Sequence, residues 1–457
     1  MDKKILIFEK MPVWKAVSTL AIPAILSQLV TMIYNLADTY YIGQTNDYRM
    51  VAAVSYSFGA FMFLAAIGNL FGIGGGSLMA RMMGEKREHD ARRVAVFSIF
   101  GAAVTSLGYS VLLWIFMDPI LTLLGASAET IGFGRDYLFW TTVAGGLPAG
   151  IGIVIGHLLR SEGSAKLGAV GIALGGLLNI VVDPIFIFVL DLDVAGAAIA
   201  TMLSNVVALL YYVTVVLVLR EKTHLSFDLR TLSLDRGIVR QVFAVGLPAA
   251  AAVMLAILAN SSMFKLLSGY GDLPVAAMGI VKKIDTIPLN VAMGLAQGVL
   301  PLVGYNYAAK NYDRMKGVSR FARRSGAVFA LLCIAVFELV PAAIVRFFID
   351  DPETVATGTA FLRIACLGTL PMALFFLFNT TLQAMGKGRQ SFLLVVLRQA
   401  VINLAILFSF EALFGITGIG WTQPVADVLA VGVAAYFFER IVVRLKRETS
   451  DQNLRSA

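Results

Sequence analysis

Charge is scarce in this 457-residue chain: Asp, Glu, Lys and Arg make up 14% of it, against 58% hydrophobic residues. A soluble chain of this length would divide into roughly three domains and would need charge to cover them. Cysteine is scarcer still. Cys333 and Cys366 are the only two, both in apolar stretches and without CxxC spacing. That excludes a disulfide framework and a thiolate metal site by spacing, and leaves packing as their role. Histidine occurs three times, and no HExxH, Ser/His/Asp set or Cys/His cluster appears, so an enzyme embedded in the membrane has no catalytic set to work with. GIGGGS at 72–77 resembles a phosphate-binding loop, but no Lys-Ser or Lys-Thr follows it and it lies inside an apolar run. Small residues there suit close helix contact. ATP hydrolysis is therefore not the expected energy source, and no cofactor is expected.

What the chain has is long apolar runs, with a mean hydropathy of +0.80. They exceed the ~18 residues that indicate a spanning helix. Six fall at about 15–42, 51–80, 94–117, 131–159, 168–190 and 194–219, and six more at about 242–268, 275–307, 318–348, 355–384, 391–412 and 417–443. The fold class expected is all-α integral membrane, with twelve spans. The net charge of +8 does not indicate nucleic acid, because the basic residues cluster in short loops between spans. Arg81, Lys86 and Arg87 follow span two, Arg230 and Arg240 lie between the halves, and Lys310, Arg314 and Lys316 follow span eight. The opposite loops, such as DLD at 191–193 and DDPE at 350–353, are poor in them. The basic side is cytoplasmic by the positive-inside rule, which puts both termini inside a cell inner (plasma) membrane protein. No cleavable signal peptide is evident. The start, MDKKILIFEKMPVW, is too charged and short to span; it is either an amphipathic surface segment or a tail.

The halves repeat at an offset of about 224 residues, pairing Pro23 with Pro248, Asn35 with Asn260, Lys86 with Lys310, Gly163 with Gly386 and Gly196 with Gly418. The organisation expected is an N-terminal cytoplasmic or interfacial segment (1–14), an N lobe (15–219), a cytoplasmic linker (220–241), a C lobe (242–443) and a cytoplasmic tail (444–457). Two six-span units entering from one side are parallel repeats, and the space between them is a natural substrate path. Pro23 and Pro248 lie inside long spans, where proline removes a backbone hydrogen bond and permits bending; Pro23 is the candidate hinge.

Acids inside apolar helices are costly and mark partners, cavities or ion paths. Asp183 stands four residues after Asn179, on one face of span five. Thr201 is on span six, with Ala197 one turn before it and able to offer a carbonyl, and Asp38 is on span one. Packed together, these groups make an oxygen-rich pocket that suits a hard cation such as Na+ and equally a proton. At the repeat offset Asp38 becomes Met263, Asp183 becomes Leu407, Asn179 becomes Asn403 and Thr201 becomes Gln423. The second half keeps amides and loses both acids, so coupling is expected in the N lobe alone. Asp427 on span twelve is read first as a structural partner of a base such as Arg398 on span eleven, the alternative being that it helps hold a cationic substrate. Lys282, Lys283 and Asp285 are read as a self-neutralising cluster, Glu338, Arg363 and Glu411 as snorkelling near span ends, and His157 as packed. Methionines and aromatics that repack around varied shapes suit an adaptable cavity. Its candidate walls are Gln28, Tyr34, Phe58 and Met62 in the N lobe, with Asn260, Met263 and Gln297 in the C lobe.

Five stretches in order carry a family resemblance over about residues 12–445: P-x14-D-T-x3-G from Pro23 to Gly43, LFGIGGGSLMARMMGEK, LRSEGSAK, LNIVVDPIFIF and VAGAAIATMLSN. The chain resembles the multidrug and toxic compound extrusion (MATE) transporters, and is similar to their MepA-like bacterial branch. The resemblance implies two pseudo-symmetric six-helix bundles forming a V around a central cavity. It also implies export of organic cations and amphipathic drugs in exchange for inward Na+ or H+, by a protein able to work as a monomer among membrane lipids. The cation ligands it implies match Asp38, Asn179, Asp183, Thr201 and the Ala197 carbonyl, and Pro23 matches its bending proline. Branches with essential acids in spans seven and ten find Asn260, Met263 and Asn379 here, with no acid. A lipid-linked oligosaccharide flippase of the same superfamily is the rival transport reading; the LNIVVDP and IPAILSQ…AD patches argue against it.

Overall fold

A computed structural model describes residues 6–45 and 47–456, leaving the first five residues of the expected N-terminal segment, Asn46 and the final residue of the tail outside the described residues. The helices follow the apolar runs. Spans one to three are Val13–Gly43, Tyr48–Gly84 and Glu88–Ile115. Span four is bent by 50° between Ile131–Ala144 and Gly146–Ser161. Span five, Ala165–Pro184, ends in a π-helical turn, Ile185–Val189, and span six is Asp193–Val218. In the second half, spans seven to nine are Arg236–Ser268, Asp272–Ala308 and Tyr312–Leu339. Span ten is bent by 42° between Pro352–Cys366 and Thr369–Ala384. Span eleven starts as Gly388–Val396, passes through a π-helical turn at Leu397–Ile402 and enters the helical stretch Asn403–Ser456. Gly415, with φ 57° and ψ −138°, breaks that stretch, a backbone conformation open to glycine because it has no Cβ. Span twelve lies beyond it.

By length and composition alone, eight helices could cross a membrane, or ten when each bent pair counts once. The break at Gly415 divides Gly388–Leu445 into two. The remaining helix, Tyr312–Leu339, misses the test because Asp313, Arg314, Lys316, Arg320, Arg323 and Arg324 crowd its first half. This is the twelve-helix, two-lobe arrangement expected. The repeat extends to details of the backbone. Short helices Met117–Leu123 and Pro341–Arg346 follow spans three and nine. Lys86 and Lys310 share a left-handed φ of 59° and 58°, as do Gly163 and Gly386 at 91° and 72°. In the loop between spans one and two, Asp47 caps span two through the Arg49 amide at 2.9 Å and pairs with its guanidinium at 2.6 Å. The Arg49 hydrogen bonds hold this carboxyl below its usual range.

The lobes meet on the basic side. A Cβ added at Gly294 would lie 2.5 Å from Ile25 Cα. One at Gly298 would collide with the Ala21 backbone, one at Gly246 with the Leu70 carbonyl, and one at Gly84 with the Tyr305 carbonyl. Small residues let backbones approach this closely between membrane helices. Ser77 adds a hydrogen bond from its hydroxyl to the Gln383 carbonyl at 2.6 Å. Toward the opposite side, Gly43, Gly59 and Gly279 have open space where a side chain would stand. The halves are therefore pressed together at their basic-loop ends and part toward the other.

The segment before span one is not a free tail: Leu6–Lys10 is docked on the C lobe. Phe8 is 1% exposed and stacks on Tyr305 with ring centroids 4.8 Å apart. Its carbonyl accepts from Arg314 Nε at 2.6 Å and Asn306 Nδ2 at 3.2 Å, and the Ile7 carbonyl accepts from Arg314 Nη2 at 3.0 Å. Glu9 accepts from the Tyr305 hydroxyl at 2.7 Å. A buried ring with satisfied neighbouring carbonyls holds the segment there.

Replacing Gly298 with valine puts side-chain atoms into the span-one backbone, an overpacking that costs about 1–3 kcal/mol and falls on the closed basic side alone. In a Cys333→Ala/Cys366→Ala background carrying Ser77→Cys, Gly298→Val is expected to raise labelling by a thiol reagent applied from the basic-loop side. Labelling as slow as with glycine present would count against the seam.

Candidate functional site

Two glycines on span five assemble the site. Gly175 lies against the Ser204 carbonyl of span six, 3.1 Å from where a Cβ would be. Gly176 lies against span one, with Val30 Cγ1 at 2.8 Å and Tyr34 Cδ1 at 3.0 Å. With no side chain between them, spans one, five and six close on one another. One turn along span five, Asn179 (2% exposed) donates from Nδ2 to Asp183 Oδ1 at 3.0 Å and to Thr201 Oγ1 on span six at 3.4 Å. Asp183 is fully buried. Pro184 follows it at once and the π-helical turn begins after that, a distortion often found at functional sites. Asp38 lies within electrostatic reach of Asp183 and of Tyr34, and Tyr137 lies within reach of all three. Ala197, one turn before Thr201, is fully buried among Ile187, Val194 and Ala198.

Three oxygens in this group are buried without a hydrogen-bond partner: Asp38 Oδ1, Asn179 Oδ1 and Asp183 Oδ2. Buried polar atoms are normally paired, and an unpaired carboxylate in apolar surroundings is costly. Among the described residues no lysine or arginine lies within ion-pair distance of either acid, and no group of three or more His, Cys, Asp or Glu residues stands ready for a metal. Two acids, an amide and a hydroxyl suit a weakly held hard cation or a proton, not a tightly bound divalent ion.

A cavity of about 290 Å³ adjoins the group. Its walls include Asp38, Tyr34, Phe58, Tyr137 and Thr201 from the N lobe, with Thr286 and Asn290 of span eight facing them. Asp38 and Thr201 thus belong both to the oxygen cluster and to the cavity wall. Of the expected wall residues, the structure brings Tyr34 and Phe58 to this cavity. Gln28 and Met62 are half-buried outside its walls, as is Gln297, whose Oε1 has no partner. Met263 is buried in the C-lobe core with Leu267, Met278 and Phe337. Asn260 is exposed, and its amide donates to the Ala256 carbonyl at 3.0 Å. Sequence reading missed Tyr137, Thr286 and Asn290; the polar Thr286 and Asn290 four apart within an apolar span were the available signal. Pro23 sits inside an unbroken Val13–Gly43 helix, with the Ser27 hydroxyl on its carbonyl at 2.8 Å.

The other intramembrane charges fall in place differently. Asp427 and Arg398 pair at 2.6 Å. His157 is buried, its ring 2.8 Å from where a Gly72 Cβ would stand. Glu338 and Arg363 lie 3.7 Å apart, and Glu411 accepts from the Tyr270 hydroxyl at 2.9 Å. In the Lys282–Lys283–Asp285 cluster, Asp285 forms no ion pair among the described residues; it lies within electrostatic reach of Lys282 and also of Asp427 and Arg398, while Lys283 is exposed.

Comparison with known proteins places these features among relatives. The MatE family model matches twice, over residues 23–185 and 248–408. The multidrug export protein MepA of Staphylococcus haemolyticus is 31% identical over 444 residues, covering 97% of each chain. That of Staphylococcus aureus strain MSSA476 is 31% identical over 451 residues, 98% of this chain and 99% of the other. Among solved structures, a MATE protein in complex with MaL6 superposes with a TM-score of 0.92 at 24% identity, covering 98% of this chain and all of that one. An outward-facing multidrug resistance MATE transporter of the MOP superfamily gives 0.91 at 24% identity, covering 97% and 99%.

The unpaired oxygens predict ion-dependent stability. A ligand that binds only the folded protein stabilises it by about 2.7 kcal/mol at a hundredfold excess over Kd. Titrating the purified wild type with sodium at fixed pH, or with protons at fixed sodium, is expected to raise its melting temperature for one of the two ions. Asp183→Asn is expected to lose that rise. A variant that responds as the wild type does would rule Asp183 out as a ligand.

Proposed function

The chain belongs to the MATE family of membrane transporters, and from that premise we propose that it is a secondary active exporter of organic cations and amphipathic drugs, driven by inward exchange of Na+ or H+. The observation that carries the proposal is the set of unpartnered oxygens on Asp38, Asn179 and Asp183 beside a drug-sized cavity between the lobes. Its walls set the rings of Tyr34, Phe58, Phe61 and Tyr137 beside Asp38 and several Thr and Asn side chains, a mixed lining that suits a small amphipathic molecule.

The exchange follows from sharing. An inward ion settling on Asp183, Asn179 and Thr201, with Asp38 and the Ala197 carbonyl completing the shell, removes negative charge from the wall that a cationic drug faces. Ion and drug then prefer different states, which is the requirement for coupling. Pro23, with no amide hydrogen to hold the preceding turn, lets span one bend and carry Asp38 with it. An inside-negative potential assists entry of each positive charge by about 2.3 kcal/mol per 100 mV. The lobe contacts on the basic side and the parting on the other correspond to a cavity accessible from outside, the state that releases drug and takes up the ion. A monomer holds all of these groups, and the basic loops and both termini face the cytoplasm.

Purified protein in liposomes loaded with a fluorescent cation tests this reading, with sodium and pH gradients imposed separately. One gradient is expected to drive wild-type transport against the dye gradient. Asp38→Asn and Asp183→Asn are each expected to abolish gradient-driven accumulation. Variants that pump at the wild-type rate would overturn the assignment.

A further inference from the structure

Both lobes tie the same two spans together through the same amide. Asn179 of span five donates to Thr201 of span six at 3.4 Å, and Asn403 of span eleven donates to Gln423 of span twelve at 3.5 Å. These are the equivalent positions of the repeat. What lies beyond the amide differs. In the N lobe it leads to Asp183, with oxygens left unpartnered. In the C lobe Gln423 Nε2 donates to Asp427 Oδ2 at 3.0 Å, and the other oxygen of Asp427 accepts from Arg398 Nε at 2.6 Å. The Arg398 and Asp427 side chains are 5% and 1% exposed. The guanidinium also lies against the rings of Phe375 and Phe376, at 4.9 Å and 5.3 Å from their centroids.

We propose that Arg398 is a tethered cation that permanently fills the C lobe's counterpart of the exchange site, and that its charge is what keeps this lobe from exchanging an ion. The proposal rests on the reading of the N lobe given above. A guanidinium stays protonated at any physiological pH and cannot leave, so Asp427 is neutralised in every transport state. The π-helical turn at Leu397–Ile402 sets Arg398 just before Asn403, so that one short segment supplies both the amide of the site and the charge that fills it. Without that charge, Asn403, Gln423 and Asp427 present an amide oxygen, a second amide and a carboxylate, close in chemistry to the set in the N lobe. A buried carboxylate stripped of its partner demands another, and a soluble cation can supply it. Among the described residues Asp285 of span eight lies within electrostatic reach of both members of the pair, and Lys282 within reach of Asp285; both are kept in the variants below.

The test counts cations held by the purified full-length protein, using sodium titration calorimetry and proton uptake read with a pH indicator. Arg398→Gln is expected to hold one more cation than the wild type. Arg398→Gln/Asp427→Asn is expected to return to the wild-type count. Arg398→Leu/Asp427→Leu, apolar on both sides, is expected to fold and to keep the wild-type count as well. A merely structural ion pair would lower the melting temperature of Arg398→Gln without adding a cation, and that result would overturn the proposal. So would an added cation that persists once Asp427 is changed. Should Arg398→Gln fold poorly, rescue by sodium or by acid with Arg398→Leu/Asp427→Leu indifferent to both supports the proposal; failure of rescue overturns it. Asp183→Asn in the unaltered C lobe reports on the N-lobe reading separately, because that reading fails if its cation count stays at the wild-type value.

Discussion

Asp183 is fully buried, receives one hydrogen bond from Asn179, and has a second oxygen with nothing to bond. Desolvating a carboxylate without a fixed counter-charge costs several kcal/mol, and among the described residues no lysine or arginine pairs with it. Much of the surrounding architecture reads as accommodation of this one group. Gly175 and Gly176 bring spans six and one close enough to share the site. The Thr201 hydroxyl helps hold Asn179 in orientation, and Asp38 adds a second acid whose own oxygen is also free. On the reading proposed above, an ion or proton from solution relieves a group so placed, and the state of the lobe then depends on what the solution offers.

The two lobes answer the same inherited geometry in opposite ways. Duplication supplied each with bent fourth and tenth spans, left-handed turns at Lys86 and Lys310, and an amide bridging the last two helices. In the C lobe the interior is closed by an arginine between aromatic rings and by Met263 and Leu407 packed where the N lobe has Asp38 and Asp183. On the proposed reading, this asymmetry of chemistry on symmetry of backbone is what lets one half respond while the other serves as its frame.

Much of this was legible in the sequence because it depends on short-range pattern. Apolar runs gave the spans, the lysine and arginine bias gave the sides, and the offset of about 224 residues gave the repeat. Asn179 and Asp183 could be placed on one face because four residues make about one turn. What escaped depends on the rotation of one helix against another. That Asp285, three residues from Lys282, also comes within reach of Asp427 and Arg398 is not set by that spacing. Met263 sits at the repeat position of Asp38, yet the packing of its lobe takes it into the core. Tyr137 and Asn290 come from different lobes and meet only because the cavity lies between them.

The docked segment at the start of the chain carries a consequence for biogenesis. Phe8 finds its stacking partner in Tyr305, and its carbonyl finds a donor in Arg314, some three hundred positions later. During synthesis these residues emerge well before their partners and must wait, unsatisfied, until eight helices have entered the bilayer. Chains are made at ~5–20 residues per second, so the delay lasts on the order of tens of seconds. Insertion of the first helix therefore proceeds without its final anchor, and the seal between beginning and middle is added as a late step of assembly. Protection of the leading end from proteases would then mark a molecule whose second half has already arrived.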